Sequence, residues 1–234
     1  MSLLHTSQYS GWARGHLLCR VEEVTGRFAV TFDDGPNPAA TGRILDVLAR
    51  FGARATFFML GGHVRRHAEL ARRVVAEGHE AAVHGDSHWP VPLLLAPTIR
   101  KQVRRCAASI EDATGVTPRF YRPPFGFMTP GQARFLRGLG YEPVLGDVYP
   151  EDPHCPGVDR IVSRVLPRLR DGSILILHDG SPVGNPDRGQ TIDALEIILT
   201  ETTSRGLRGT TVAELFPMEN GARPTPERLP RQLG

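Results

Sequence analysis

Two adjacent carboxylates, Asp33 and Asp34, end the apolar run Phe28–Phe32 and lead straight into Gly35 and Pro36. A strand buries Phe28, Val30 and Phe32 readily, but two neighbouring anions at its end repel each other. They require a cation, a shared proton or strong hydrogen-bond donors. A second set stands at His84 and His88, four residues apart, after the apolar run ending at Val83. Imidazoles at that spacing can face one way and close on a single metal ion. With one aspartate from the first segment they make a two-histidine, one-carboxylate set that leaves positions for water and substrate. The third set ends the segment GSILILHDG, Gly172–Gly180, where a buried-strand pattern delivers His178 and Asp179. A further pair with the same spacing, His63 and His67 in GGHVRRHAELARR, has no acidic motif beside it and reads as a solvated helix face.

Four motifs occur in order: TFDDGP, H-x3-H at His84 and His88, RPPFG at Arg122–Gly126, and ILHDG. In order and separation they resemble the polysaccharide deacetylases of the NodB-homology type, carbohydrate esterase family four, from about Arg27 to Leu215. The resemblance implies an irregular seven-stranded (β/α)7 barrel and a metal-dependent hydrolase acting on an acetylated glycan. Asp34, His84 and His88 would hold a divalent metal, zinc first and cobalt, manganese or nickel as other choices. Asp33 would be the general base, His178 the general acid, and Arg122 the partner orienting Asp33. Asp152 matches the acid that tunes the catalytic histidine. The backbone N–H near Phe125 would stabilise an oxyanion, and Ile176 would line the acetyl-methyl pocket.

The departures from the pattern are specific. Gly85 replaces the hydroxyl residue usual after the first metal histidine, which is expected to loosen that loop and weaken metal binding. Gly146 and Pro153 stand where tryptophans are common, and Phe125 where tyrosine is commoner. The expected reaction is removal of N-acetyl groups from an N-acetylglucosamine-containing glycan of chitin or peptidoglycan type, with release of acetate. An O-acetyl esterase acting on acetylated xylan would use the same site. A non-catalytic glycan-binding module would keep the fold without turnover.

Positioning these groups falls to elements whose patterns alternate. Short β-type runs are expected at residues 28–32, 55–59, 80–83, 119–121, 142–145, 173–177 and 207–211. Helical patterns fit residues 40–50, 64–77, 98–114, 131–139, 158–170 and 191–204. This alternation predicts an α/β single domain built of parallel β/α units, with each chemical motif just after a strand. The boundaries expected are an N-terminal segment 1–26, a domain 27–216 and a disordered tail 217–234 rich in Pro and Arg.

At 234 residues, 40% apolar and with net charge +3, the chain can bury one sizeable core. Its cationic side chains are almost all arginine, with Lys101 the single lysine, and they scatter over helix faces without an aromatic-interleaved stripe. Nucleic acid is therefore not an expected partner. Cys19, Cys106 and Cys155 are odd in number and lack metal spacing, so no disulfide framework is expected. His79, His154 and Cys155 read as structural or exposed. No basic region followed by a sustained apolar stretch opens the chain, so no membrane span is expected and the chain as it stands reads as cytoplasmic. An extracytoplasmic place follows instead if a leader has been removed. Nothing in the pattern fixes an oligomeric state.

Overall fold

The computed structural model describes residues 16–184 and 186–217. The first fifteen residues of the expected N-terminal segment, and the expected tail beyond Pro217, lie outside them. Seven parallel strands form one sheet: β1 (Arg27–Asp33), β2 (Ala55–Met59), β3 (Glu80–Val83), β4 (Phe120–Tyr121), β5 (Glu142–Pro143), β6 (Ile174–His178) and β7 (Arg208–Thr210). Their order is β5-β4-β3-β2-β1-β6, with β7 beside the first residues of β1. Closure is irregular. Leu18 bridges Val144, Arg20 bridges Ser173 and Val148 bridges Leu175, so residues 18–20 and the stretch after β5 complete the wall between β5 and β6. The described part of the expected N-terminal segment thus belongs to the barrel. The result is the expected single-domain, irregular (β/α)7 barrel.

Strands β2 and β6 are apolar almost throughout because both faces of a parallel sheet are covered. Along β1 the faces separate by alternation. Phe28, Val30 and Phe32 join the helices in the larger core, with Ile44, Leu48, Val103 and Leu195. Ala29 instead joins Phe58, Ala82, Phe120, Val144 and Ile174 in a smaller core, together with Val212 and Leu215. Each fully buried Phe side chain contributes roughly 2–3 kcal/mol relative to exposure.

Eight helices are described: α1 (Thr41–Arg50), α2 (Gly61–Arg66), α3 (Ala68–Ala76), α4 (Ala96–Thr114), α5 (Pro130–Gly138), α6 (Val158–Val165), α7 (Gly189–Ser204) and α8 (Val212–Leu215). The α4 helix buries Ile99, Val103, Cys106 and Ile110, a three-to-four-residue repeat that fits one face packed on the sheet. The short α8 sits at the N-terminal end of the barrel, where Arg27 donates to the Glu214 carbonyl. The opposite end stays available for chemistry.

Two helical expectations need correction. The single helix expected over residues 64–77 is two helices that meet at His67, whose backbone (φ −132, ψ 47) leaves the helical region. The break lets α2 stay pinned to the loops at its start while α3 buries Ala71 and Val74. The helix expected over residues 158–170 ends at Val165, because Pro167 lacks an N–H and its ring disfavours helical continuation. No disulfide joins the three cysteines; Cys19 and Cys106 are buried and Cys155 is exposed. His79 is structural: it is buried, accepts from the Ala55 N–H at 3.2 Å, and burial pushes its imidazole down to about 4. His154 is exposed, as expected.

Candidate active site

Each motif lies at or just past the C-terminal end of a strand. Asp33 ends β1, His84 follows β3, Arg122 follows β4 and His178 ends β6. Register places Asp33 opposite His178 across the β1–β6 ladder. Past β1 the chain turns sharply, with Asp34 at φ +74, a conformation aspartate tolerates better than most residues.

Asp34, His84 and His88 come together, their ligand-capable atoms all within 4.8 Å of one another. The Nε2 atoms of both histidines lie 3.5 Å from Asp34 Oδ1. His84 donates its Nδ1–H to the Arg122 carbonyl at 2.8 Å, which orients the ring with Nε2 toward the aspartate. Burial, helped by His84, pushes the His88 imidazole down to about 4, so it is neutral near pH 7. Asp34 Oδ1 is buried and has no hydrogen-bond partner among the described residues. One buried, unpartnered carboxylate oxygen facing two imidazole Nε2 atoms is the donor set that a divalent cation satisfies.

Asp33, on the same turn, is held apart from this trio. Arg122 Nη1 donates to Asp33 Oδ1 at 2.6 Å and to Thr31 Oγ1 at 2.7 Å, and the guanidinium lies 4.0 Å from the Phe58 ring centroid. Burial works to raise the Asp33 pKa, but Arg122, His84 and His178 outweigh it and hold the carboxyl below its ordinary value. Both partners are almost wholly buried, so the pair fixes a carboxylate that remains charged near pH 7.

On the facing side, His178 donates Nδ1–H to Asp152 Oδ1 at 2.9 Å, and its backbone N–H donates to Asp152 Oδ2 at 2.9 Å. Thr191 Oγ1 donates to the same Oδ2 at 3.0 Å. Burial opposes charge on His178, yet Asp152, with Asp33 and Asp34 behind it, raises the imidazole to about 9. The site thus contains one group that stays deprotonated and one that stays protonated at neutral pH, the arrangement that acid–base hydrolysis needs.

Phe125 has φ +62, is 58% exposed, and sets its ring edge-on to His88 at 4.4 Å between centroids. Ile176 is buried two register positions below His178 and Asp33, opposite Thr31. Gly146 explains one departure. It sits at φ +129, and a Cβ there would come 2.7 Å from Ile176 Cγ1 and 2.8 Å from the Ile174 carbonyl, so this backbone leaves no room for an aromatic side chain. Tyr149 stands nearby instead, its ring centroid 6.0 Å from that of His178. Pro153 lies in the short turn Asp152–His154 that brings Asp152 to His178.

Gly85 is likewise required by its backbone, at φ +100. Contacts other than a hydroxyl at position 85 hold this turn: Arg65 Nη1 donates to the buried Asp86 Oδ1 at 2.6 Å, and Gln102 Oε1 accepts from the Ser87 N–H at 2.9 Å.

The second histidine pair does not behave as a free surface. His63 is half-buried and donates Nδ1–H to the Asp34 carbonyl at 2.8 Å. The fold also recruits residues without a motif. Buried Arg188 donates through Nη2 and Nε to the Gly180 carbonyl at 2.6 and 3.0 Å and reaches the Pro153 carbonyl at 3.4 Å, joining the two loops around His178. Asp179 lies behind the Asp33–Gly35 turn, accepts from Thr41 Oγ1 at 2.5 Å, and is raised to about 7 by burial and by the charge of Asp34. Thr31 was readable, since a residue two before Asp33 shares its strand face. Arg188 carried no such signal.

The sequence profile of the polysaccharide deacetylase family matches residues 22–144. The chain is 40% identical over 184 residues to a chitooligosaccharide deacetylase of Rhizobium leguminosarum bv. trifolii, covering 76% of this chain and 86% of that one. It is 37% identical over 190 residues to a peptidoglycan-N-acetylglucosamine deacetylase of Bacillus cereus, covering 80% and 87%. Its fold matches the crystal structure of the Bc1960 peptidoglycan N-acetylglucosamine deacetylase with a TM-score of 0.83 at 25% identity, covering 91% of this chain and 98% of that one. The chain therefore belongs to the polysaccharide deacetylase family, the NodB-homology hydrolases that its four motifs resemble.

Proposed function

We propose that this protein is a metal-dependent polysaccharide N-deacetylase that hydrolyses the N-acetyl group of N-acetylglucosamine-containing chitin- or peptidoglycan-type glycans. The observation that carries this reading is the convergence of Asp34, His84 and His88 beside a carboxylate held charged and an imidazolium held charged. The relatives named for chitooligosaccharide and peptidoglycan deacetylation support the substrate class.

Asp34, His84 and His88 would hold the divalent cation, zinc being the first candidate for two imidazoles and one carboxylate. When bound there, such an ion supplies Lewis acidity for the acetyl carbonyl and lowers the pKa of a nearby water. Asp33, oriented by Arg122, accepts a proton from the attacking water. The backbone N–H near Phe125 donates to the developing oxyanion, and Ile176 packs against the acetyl methyl. As the C–N bond breaks, His178 gives its Nε2 proton to the departing nitrogen, while Asp152 keeps the ring oriented and charged until that transfer. The products are acetate and a free amine on the glycan.

The test is acetate release from acetylated chitooligosaccharides by protein stripped of metal and reloaded with zinc or cobalt, with Asp33→Asn and acetylated xylan in parallel. Metal-restored release that Asp33→Asn abolishes supports the reading. Release from xylan alone replaces it with the O-acetyl esterase, and tight glycan binding without release replaces it with a binding module.

A further inference from the structure

We infer that α2, the short GGHVRR helix, is a bracket that sets the spacing of the metal-ligand segments, with His63 and Arg65 as its positioning residues; this rests on the reading of Asp34, His84 and His88 as a metal site. The three ligands come from two loops that belong to different strands, and nothing in either loop alone fixes the distance between them. The start of α2 touches both. Toward the aspartate loop, the Leu60 N–H donates to the Gly35 carbonyl at 3.0 Å and His63 Nδ1–H donates to the Asp34 carbonyl at 2.8 Å. Toward the histidine turn, the Gly61 N–H donates to the Gly85 carbonyl and the Gly62 N–H to the Asp86 carbonyl, both at 3.0 Å. Arg65 adds a charged bond to Asp86 Oδ1 at 2.6 Å and is itself tied to Ser109 Oγ on α4 at 2.7 Å.

The two side chains therefore act on opposite arms. His63 holds the peptide of Asp34 in its left-handed conformation, from which the carboxylate meets the imidazoles. Arg65 holds Asp86, a buried carboxylate midway between the two metal histidines, which would otherwise lack a compensating charge on that side; Arg105 completes the pairing at 3.4 Å. Contacts of this kind do not touch the metal, but they decide whether its ligands are preorganised or must be gathered on binding. His67, one turn along, sits at the break between α2 and α3 and takes part in neither arm.

The experiment measures zinc affinity directly, by competition with a chromophoric chelator, on wild-type protein, His63→Ala, His63→Gln, Arg65→Ala and His67→Ala. The melting temperature of each metal-free protein is recorded alongside. His63→Ala is expected to weaken zinc binding by about 10- to 100-fold, the range for lost outer-sphere partners, and Arg65→Ala by about 10-fold. His63→Gln, whose amide can still donate to the Asp34 carbonyl, should recover most of the loss, and His67→Ala should match wild type. At saturating zinc the kcat of His63→Ala should return toward wild type, which separates positioning from catalysis. Unchanged zinc affinity in His63→Ala, or a lowered metal-free melting temperature with no shift in affinity, overturns the bracket. If Arg65→Ala does not fold, the two His63 variants decide alone. Wild-type protein that binds no zinc would sink the metal-site reading itself, a different result from variants that bind as well as wild type.

Discussion

The molecule contains two H-x3-H pairs, and among the described residues only one of them joins a carboxylate in a group that could hold a metal ion. His84 and His88 follow β3 on a turn whose glycine at φ +100 brings both Nε2 atoms 3.5 Å from one carboxylate oxygen. His63 and His67 span the end of α2 and the break before α3; His63 points its Nδ1–H at a backbone carbonyl, and His67 belongs to the break. Identical spacing thus yields a candidate ligand pair in one place and a contact to a backbone carbonyl in the other. What separates them is the partner across the barrel rim. A carboxylate delivered by β1 faces the first pair, whereas in the second pair His63 bonds the main chain of that same turn. Spacing is necessary for chelation, and position relative to a neighbouring strand decides it.

Metal content after zinc reloading and desalting sharpens this contrast most. His84→Ala or His88→Ala should take the protein from one bound ion to none, while His67→Ala keeps the ion. Retention of zinc by both single variants would break the assignment of the first pair. Asp33→Asn comes next. It should keep the metal and lower acetate release by about 10³-fold, within the range for loss of a general base, so that binding and chemistry separate on adjacent residues. Loss of zinc in that variant would make Asp33 a ligand rather than the base.

Arg122→Met tests the pairing that keeps the two aspartates distinct. Removing one partner of a buried pair strands the other charge, and urea unfolding at neutral pH should show a loss of about 3–5 kcal/mol. The sign with pH follows from the lowered pKa of Asp33. Its contribution is present above the ordinary carboxylate range and is lost as pH falls through the lower folded-state value, so wild type and variant should converge in acid. A gap that is constant with pH would deny the electrostatic origin.

The acid side gives a smaller, shape-based effect. His178 must carry its proton to serve as the acid, so activity should fall as pH rises through about 9. Asp152→Asn removes the main source of that elevation and should move the alkaline limb down by roughly 1–2 pH units. An unmoved limb would assign it to another group. The smallest effect is expected for Gly85→Ala, which makes the metal turn resemble its counterpart at Val64. Strain at φ +100 should cost about 1 kcal/mol in thermal unfolding, with the ion retained.

Most of the candidate site was readable because it is built from strand ends. The patterns of β2 and β3 give their boundaries to the residue, and alternation along β1 explains how Thr31 and Asp33 both reach Arg122. Features that depend on distant packing were not readable. Gly85 reads in sequence as a lost hydroxyl, yet the turn needs its conformation. Gly146 reads as a missing aromatic wall, yet its Cα lies against Ile176 and the carbonyl of Ile174.

The sequence by itself determined the family, the barrel class, and the candidate metal-ligand trio and acid–base pair, because each rests on residue types at short spacing after an apolar run. Tertiary structure alone decided that His63 serves Asp34, that Arg188 joins the Gly180 and Pro153 loops, and that Asp179 lies behind the catalytic turn. Those contacts join residues far apart in the chain or on separate elements, and strand register and helix packing, rather than local periodicity, set which of them meet.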